Sequence, residues 1–275
     1  MKPVIVATGV GTALALALVA GIVVGGNFVT STGPSAPPVP DVVTSASPTP
    51  DAAIEDGVEE LEPIEPPTPD STLLPDSGVD AQVSRISDNQ WSEIVATGTW
   101  RPECPAGRKD LRRIDLNYRT FDGEVARGQL VANKDSVDDL VEIFSELFEA
   151  GFPIERMEPV EMYGGEVLAS LQANNTSAFN CRKPGQINAP VNDSPHANGR
   201  AIDINPVQNP WRDPRCECWQ PSKEFAKTKE GPGIIRKGSL PVELFEARGW
   251  VWQNIKVPDY MHFDTGYPSR PRNNS

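Results

Sequence analysis

The periodicity of apolar residues predicts two strands and a helix in the middle of the chain. Polar and apolar residues alternate over residues 113–118, as in a half-buried strand, and residues 128–132 indicate a second strand. A helix is predicted over residues 134–150, with Asn133 as a capping residue and Gly151 just past its end. Its apolar side chains fall at helical spacing on one face: Val137, Leu140, Val141, Phe144, Leu147 and Phe148.

Shorter apolar segments predict the remaining elements of a folded domain. Strands are expected at residues 154–163, 200–205, 250–253 and 261–265, and helices at 167–173 and 240–248, with an irregular stretch at 174–199. Strands and helices do not alternate regularly around Gly-rich turns, which disfavours a doubly wound parallel sheet. The predicted fold class is therefore α+β, with a mainly antiparallel sheet and flanking helices.

The N-terminal residues predict a membrane helix. Residues 3–26 carry no charge, and 24 residues in a helix, at about 1.5 Å per residue, can cross a hydrocarbon core of about 30 Å. A cleaved signal peptide usually has a shorter apolar region and a small-residue cleavage site. We therefore expect residues 1–26 to be a retained signal anchor in the cell membrane, with Lys2 in the cytoplasm and the rest of the chain exported. Secretion after signal cleavage is the alternative.

Composition separates an acidic linker from a nearly neutral domain. Residues 27–84 contain 11 acidic residues, 11 prolines and no Lys or Arg, which predicts a disordered, extended linker. The net charge of −13 therefore belongs mainly to this linker, since residues 85–275 carry 27 acidic and 24 basic residues. Residues 85–275 are predicted to be the folded domain. A chain without a basic excess is a poor candidate for nucleic-acid binding, so no nucleic-acid partner is expected.

Four cysteines in an exported chain are expected to be oxidised. Four cysteines allow three pairings, which the sequence does not distinguish. We prefer a bridge between Cys104 and Cys181, which would tie the start of the domain to its irregular stretch. A bridge between Cys216 and Cys218 would span only one residue and is expected to be strained.

The two histidines of the chain lie in polar segments that suit a metal site. His196 precedes Asp203, which is predicted to lie on the polar face of a strand whose other face carries Ile202 and Ile204. His262 lies in a second predicted strand and shares a face with Asp264, with Met261 and Phe263 expected behind. Two imidazoles and one carboxylate can hold Zn²⁺ with one tetrahedral position open, as in catalytic sites. Asp259, three residues before His262, could act as general base.

These segments carry a family resemblance. The string Ser194-x-His196-x-x-Gly199-x-Ala201-x-Asp203, followed by Asp259-x-x-His262, resembles the signature of the M15 metallopeptidases. Segments 163–165, 174–182 and 204–210 resemble the branch with a D-alanyl-D-alanine carboxypeptidase-like core domain. The resemblance covers roughly residues 90–268. It implies a LAS-type metallopeptidase fold, with a zinc site at the sheet face, and peptidoglycan stem peptides as substrates.

The resemblance also implies roles for individual residues. His196, Asp203 and His262 match the zinc ligands, and Asp259 matches the general-base position, where many members carry Glu. Ser194 matches a serine near the substrate. Arg182 is a candidate for binding a substrate carboxylate or the developing oxyanion, because its fork of donors suits either; an exposed loop arginine is the alternative.

The function implied is an exported zinc metallopeptidase that hydrolyses stem-peptide amide bonds. Carboxypeptidase action on terminal D-Ala-D-Ala is expected first, and endopeptidase or L,D-peptidase action second. The shorter Asp259 leaves open a different class, a non-catalytic module that keeps the fold and binds wall peptides or a partner. A third alternative is a disulfide-rich exported domain without metal.

Overall fold

The computed structural model describes residues 78–183, 185–186, 194–253 and 255–272. The predicted signal anchor and residues 27–77 of the predicted linker lie outside the described residues. In the described part of the chain, no helix is long and apolar enough to cross a membrane. The first described strand, Gln82–Arg85, includes three residues that we predicted to be linker.

The described residues contain short strands and helices joined by turns and loops. The strands are β1 (Gln82–Arg85), β2 (Leu111–Arg119), β3 (Val125–Asn133), β4 (Arg156–Met157), β5 (Asn175–Thr176), β6 (Ala201–Asp203), β7 (Trp211–Asp213), β8 (Cys218–Gln220), β9 (Val251–Trp252) and β10 (His262–Asp264). The α-helices are α1 (Asp88–Ala96), α2 (Val137–Glu149), α3 (Val167–Gln172) and α4 (Leu240–Ala247), and 3₁₀ helices span Arg108–Asp110 and Val160–Tyr163.

Antiparallel pairing dominates the sheets. One three-stranded sheet has the order β1-β2-β3, and a second has the order β6-β10-β9; both are antiparallel. Strands β7 and β8 form an antiparallel pair, and β4 and β5 form a short parallel pair. The fold is thus a mixed α and β structure with antiparallel sheets and few helices. This agrees with the fold class predicted from the sequence.

The strand predicted over residues 154–163 is largely wrong. Only Arg156–Met157 is a strand, and Val160–Tyr163 forms a 3₁₀ helix instead. Pro159 precedes this helix in an extended conformation and has no backbone N–H to donate to a sheet. A proline at this point ends strand pairing, and Val160 is buried in the 3₁₀ helix that follows, whereas Met162 is exposed.

Helix α2 covers the first sheet and forms the main core with it. It begins at Val137, three residues later than predicted, because Ser136 is the N-cap and Asn133 still belongs to β3. The buried face is Val137, Leu140, Ile143, Phe144, Leu147 and Phe148; Val141, predicted on this face, is only partly buried. Burial of each such side chain contributes about 1.5–3 kcal/mol. The same core contains Ile202, Ile204 and Phe263, so it also supports the second sheet.

Two disulfides fix the loops around this core. Cys104 pairs with Cys181, as preferred from the sequence, across 77 residues of chain. Cys216 also pairs with Cys218, the short bridge that we expected to be disfavoured, at the turn between β7 and β8. The residue between them, Glu217, takes a left-handed backbone conformation that allows so short a ring.

Candidate metal centre and active-site cavity

The second sheet places the first two candidate ligands side by side. Strands β6 and β10 are antiparallel, and their register sets His262 directly opposite Asp203. Directly opposed residues project from the same face of an antiparallel pair. The alternating residues Ile202 and Phe263 are fully buried in the main core, so the polar pair faces the other way. His262 Nδ1 lies 3.1 Å from an Asp203 oxygen.

His196 reaches the same point from a turn before β6. A Cβ at Gly199, which has φ +69°, would lie 2.7 Å from the Asn133 backbone nitrogen, so only glycine lets this turn pack against β3. His196 Nε2 lies 3.1 Å from His262 Nδ1 and 3.3 Å from Asp203 Oδ2. One donor atom from each of the three residues therefore lies within 4.8 Å of the others.

Hydrogen bonds on the far side of each ring orient the two imidazoles. His196 Nδ1 lies 2.7 Å from the carbonyl oxygen of Ala178, which can only accept, so this nitrogen carries the proton and Nε2 presents a lone pair. His262 Nε2 lies 2.9 Å from Asp264 Oδ2, and Asp264 Oδ1 accepts from Gly266 N at 2.7 Å. A carboxylate behind a ligand histidine is a frequent feature of metal sites.

The charges of the cluster also suit a cation. Burial by itself would lower the pKa of His262, but its hydrogen bonds to Asp203 and Asp264 raise the pKa to about 10. Burial would raise the pKa of Asp203, and the two imidazoles instead hold that pKa below its ordinary value. Two nitrogens and one carboxylate oxygen, all largely shielded from water, form a donor set that fits a divalent metal ion such as zinc.

Asp259 lies in the same cavity as the three candidate ligands. Its Oδ1 atom is shielded from solvent and makes no hydrogen bond within the described residues. Burial raises the pKa of Asp259 to about 7; His262 opposes this rise and Asp203 adds to it. Gln253 Oε1 accepts from the backbone N–H of Asp259 at 3.2 Å and holds this segment in place. A carboxyl group with a pKa near neutrality can both accept and release a proton.

Arg182 and Ser194, the two candidate substrate-binding residues, also line the cavity. Arg182 is buried, so the alternative of an exposed loop arginine is wrong. Its backbone has φ +59°, and its N–H donates to Asn180 Oδ1 at 2.7 Å, next to the bridged Cys181. Burial lowers the pKa of the Arg182 guanidinium, and the carboxylates of Asp203 and Asp259 oppose that shift.

An apolar wall completes the cavity, and sequence reasoning missed it. Leu171, Trp211 and Met261 form a buried cluster, and all three line the cavity. Met261 was expected behind the strand with Phe263, but it lies on the cavity side because β10 begins only at His262. Trp211 belongs to β7, which was not predicted. Asp264 was placed correctly on the face of His262, but its contact with the ring was not foreseen.

Comparison with protein families finds one match in the described part of the chain and the segment just before it. Residues 188–265 match an M15 peptidase family described as D-alanyl-D-alanine carboxypeptidase. The matched segment contains the candidate ligands and Asp259. The resemblance noted from the motifs is thus confirmed, and the match supports an M15-family, D-alanyl-D-alanine carboxypeptidase-like domain in this part of the chain. Neither the curated proteins nor the solved structures contain a significant match to the chain.

Proposed function

We propose that this chain is an exported, membrane-anchored zinc peptidase that hydrolyses amide bonds in peptidoglycan stem peptides. Carboxypeptidase action on a terminal D-Ala-D-Ala is the first assignment, and endopeptidase or L,D-peptidase action is the second. The family match supports a peptidase of this class. Export rests on the uncharged residues 3–26 and on the acidic, proline-rich segment that follows them.

The observation that carries this proposal is the convergence of four side chains in one cavity. His196, Asp203 and His262 present donor atoms to a common point, and Asp259 lies in the same cavity with a raised pKa. A structural metal site usually has four protein ligands, whereas three ligands beside an acid–base residue are typical of a hydrolytic centre.

Each residue of the site has a separate role in the proposed reaction. His196, Asp203 and His262 would hold a zinc ion, which would supply Lewis acidity toward the scissile carbonyl and would lower the pKa of water. Asp259 accepts a proton from the attacking water and then delivers it to the leaving amine. Arg182 offers a planar set of N–H donors to the developing oxyanion or to the terminal carboxylate of the substrate.

The test is product analysis with the purified full-length protein. Defined stem peptides are incubated with and without a zinc chelator, and the products are identified by mass spectrometry. We expect release of D-alanine, its loss with chelator and its recovery when zinc is restored. A shorter fragment instead of D-alanine would assign endopeptidase or L,D-peptidase action.

The same experiment separates catalysis from binding alone. Asp259 is one methylene shorter than the Glu that many family members carry, which favours a non-catalytic wall-binding module as the second candidate. That module would retain the peptides without cleaving them. Intact peptides, recovered from protein with a full complement of zinc, would refute the peptidase proposal and support the binding module.

A further inference from the structure

A groove at the start of the folded domain is lined by four cations. Arg85 at the end of β1, Arg108 and Lys109 of the 3₁₀ helix and Arg112 near the start of β2 surround it, together with the buried Ile86. We call these four cationic residues the basic groove. None of them lines the cavity that contains the candidate metal ligands.

Two of these cations lie directly opposite each other on neighbouring strands. The register of the antiparallel pair places Arg85 opposite Arg112. Directly opposed side chains share a face, with Cβ atoms roughly 4.5–5.5 Å apart, and like charges in that position are destabilising. Within the described residues, Arg85, Arg112 and Lys109 form no ion pair with a carboxylate. The fold therefore maintains an unfavourable concentration of positive charge here.

The nearby carboxylates are engaged elsewhere or neutralise only one cation. Asp88 lies 2.6 Å from Arg108, whose guanidinium also donates to the carbonyl of Ile86. Asp110 accepts from the backbone N–H of Gly107 at 3.2 Å and from Lys134 Nζ at 3.2 Å. Arg85, Lys109 and Arg112 thus have no carboxylate within ion-pair distance in the part of the chain that the structure describes, although Asp110 attracts Lys109 from farther away.

The basic groove is also partly preorganised. Arg112 Nη1 donates to the carbonyl oxygens of Lys109 and Leu111, at 3.2 and 2.8 Å, which holds the guanidinium in place. Its remaining N–H groups, with those of Arg85, can converge on one ligand group. A phosphate group offers more acceptor oxygens than a carboxylate does and pairs bidentately with arginine.

We propose that the basic groove binds a soluble, linear polyphosphate. A groove fits a strand-like polymer that lies along it better than it fits the flat surface of a membrane. Three cations without carboxylate partners also suit a ligand with repeated charges. This inference is independent of the proposed peptidase activity, because the groove and the metal cluster share no residue.

The test uses the full-length protein and short-chain inorganic polyphosphate as the probe, measured by calorimetry at low and moderate salt. We expect binding that weakens with salt, as for other phosphate polymers. The double variant Arg85→Gln/Arg112→Gln should lose at least about tenfold in affinity, since two charge-assisted hydrogen-bonding groups are removed. The matched control, Lys227→Gln/Lys229→Gln, removes the same charge from two exposed residues outside the groove and should bind as the wild type does.

Thermal unfolding supplies a second readout. Without polyphosphate, Arg85→Gln should unfold at a higher temperature than the wild type, because the cross-strand repulsion with Arg112 is relieved while the hydrogen bonds of Arg112 are kept. With polyphosphate, only the wild type and the lysine control should gain stability. If the double variant does not fold, Lys109→Gln alone should still weaken polyphosphate binding.

Several outcomes would overturn the proposal. Equal affinity of the wild type and Arg85→Gln/Arg112→Gln for polyphosphate would show that the basic groove is not the binding site. Equal binding of polyglutamate would reject phosphate as the recognised group. Binding to vesicles with anionic lipid, without binding to polyphosphate, would assign the groove to a membrane surface. Because each measurement is repeated after metal removal, failure here is distinguishable from failure of the peptidase proposal.

Discussion

Asp264 is expected to set metal affinity although it is not a predicted ligand. Its side chain is 1% exposed, and its Oδ2 lies 2.9 Å from His262 Nε2. With a metal bound, the carboxylate would hold the proton on Nε2, so that Nδ1 would present its lone pair to the ion. Replacement by Asn keeps the size of the side chain but removes the negative charge behind the ring.

The size of the effect follows from the burial of this contact. Loss of a carboxylate behind a ligand histidine typically weakens metal affinity by about 10- to 100-fold, which corresponds to about 1.4–2.7 kcal/mol. A value near the upper end is expected because Asp264 is shielded from solvent and its second oxygen is fixed by the Gly266 N–H. We therefore expect zinc affinity to fall roughly 100-fold in Asp264→Asn.

Zinc competition against a chromophoric chelator measures this change in the full-length protein. The matched control is Asp139→Asn, which removes a partly buried carboxylate that accepts from Trp250 Nε1 at 2.9 Å and pairs with Arg272 at 2.8 Å, outside the metal cluster. The control should lower the unfolding temperature without changing zinc affinity. Unchanged zinc affinity in Asp264→Asn, or an equal loss in both variants, would refute the reasoning about ring orientation.

Three further predictions concern Asp259 as general base, the guanidinium of Arg182 and the buried carboxyl group of Glu161. Asp259→Asn should lower turnover by about 10²- to 10⁴-fold, while its zinc content should equal that of the wild type. An unchanged turnover in steady-state assays would show that Asp259 does not transfer the proton. Arg182→Ala should lower kcat/KM by about 10²- to 10³-fold without loss of zinc; an unchanged kcat and KM would exclude the guanidinium from the site. Burial raises the pKa of Glu161, whose Oε1 accepts from Gln90 Nε2 at 3.0 Å. The pKa of Glu161 in the folded protein lies above its value in the unfolded chain, which is about 4.3. Glu161 therefore lowers the free energy of unfolding as the pH rises above about 4.3. Glu161→Gln should therefore raise the free energy of unfolding at pH 7, in urea titrations, but not near pH 3; a gain that is equal at both pH values would contradict this sign.

The elements with strong local periodicity were predictable from the sequence. Strands β2 and β3 and helix α2 were found because their apolar residues follow one period over many positions. Asp203 and His262 were placed on the polar faces of two strands by the same alternation. Their direct pairing was not predictable, because register between strands about 60 residues apart is set by tertiary packing rather than by local pattern.

Elements with a small buried face were missed. Helix α1 buries only Gln90 and Ile94, which leaves too few apolar positions to reveal a helical period. Strands β7 and β8 have three residues each, and long-range contacts place Trp211 in the wall of the cavity. The contact between Asp264 and His262 depends on ring orientation, which no sequence pattern encodes.

Metal analysis of the purified full-length protein tests the convergence of His196, Asp203 and His262 most directly. After equilibration with a small molar excess of zinc and removal of loosely bound ions, we expect about one equivalent of zinc per chain in the wild type. His262→Ala should lose this zinc, and Asp259→Asn should retain it. Less than about a tenth of an equivalent in the wild type, or full retention in His262→Ala, would contradict a metal centre at these three side chains.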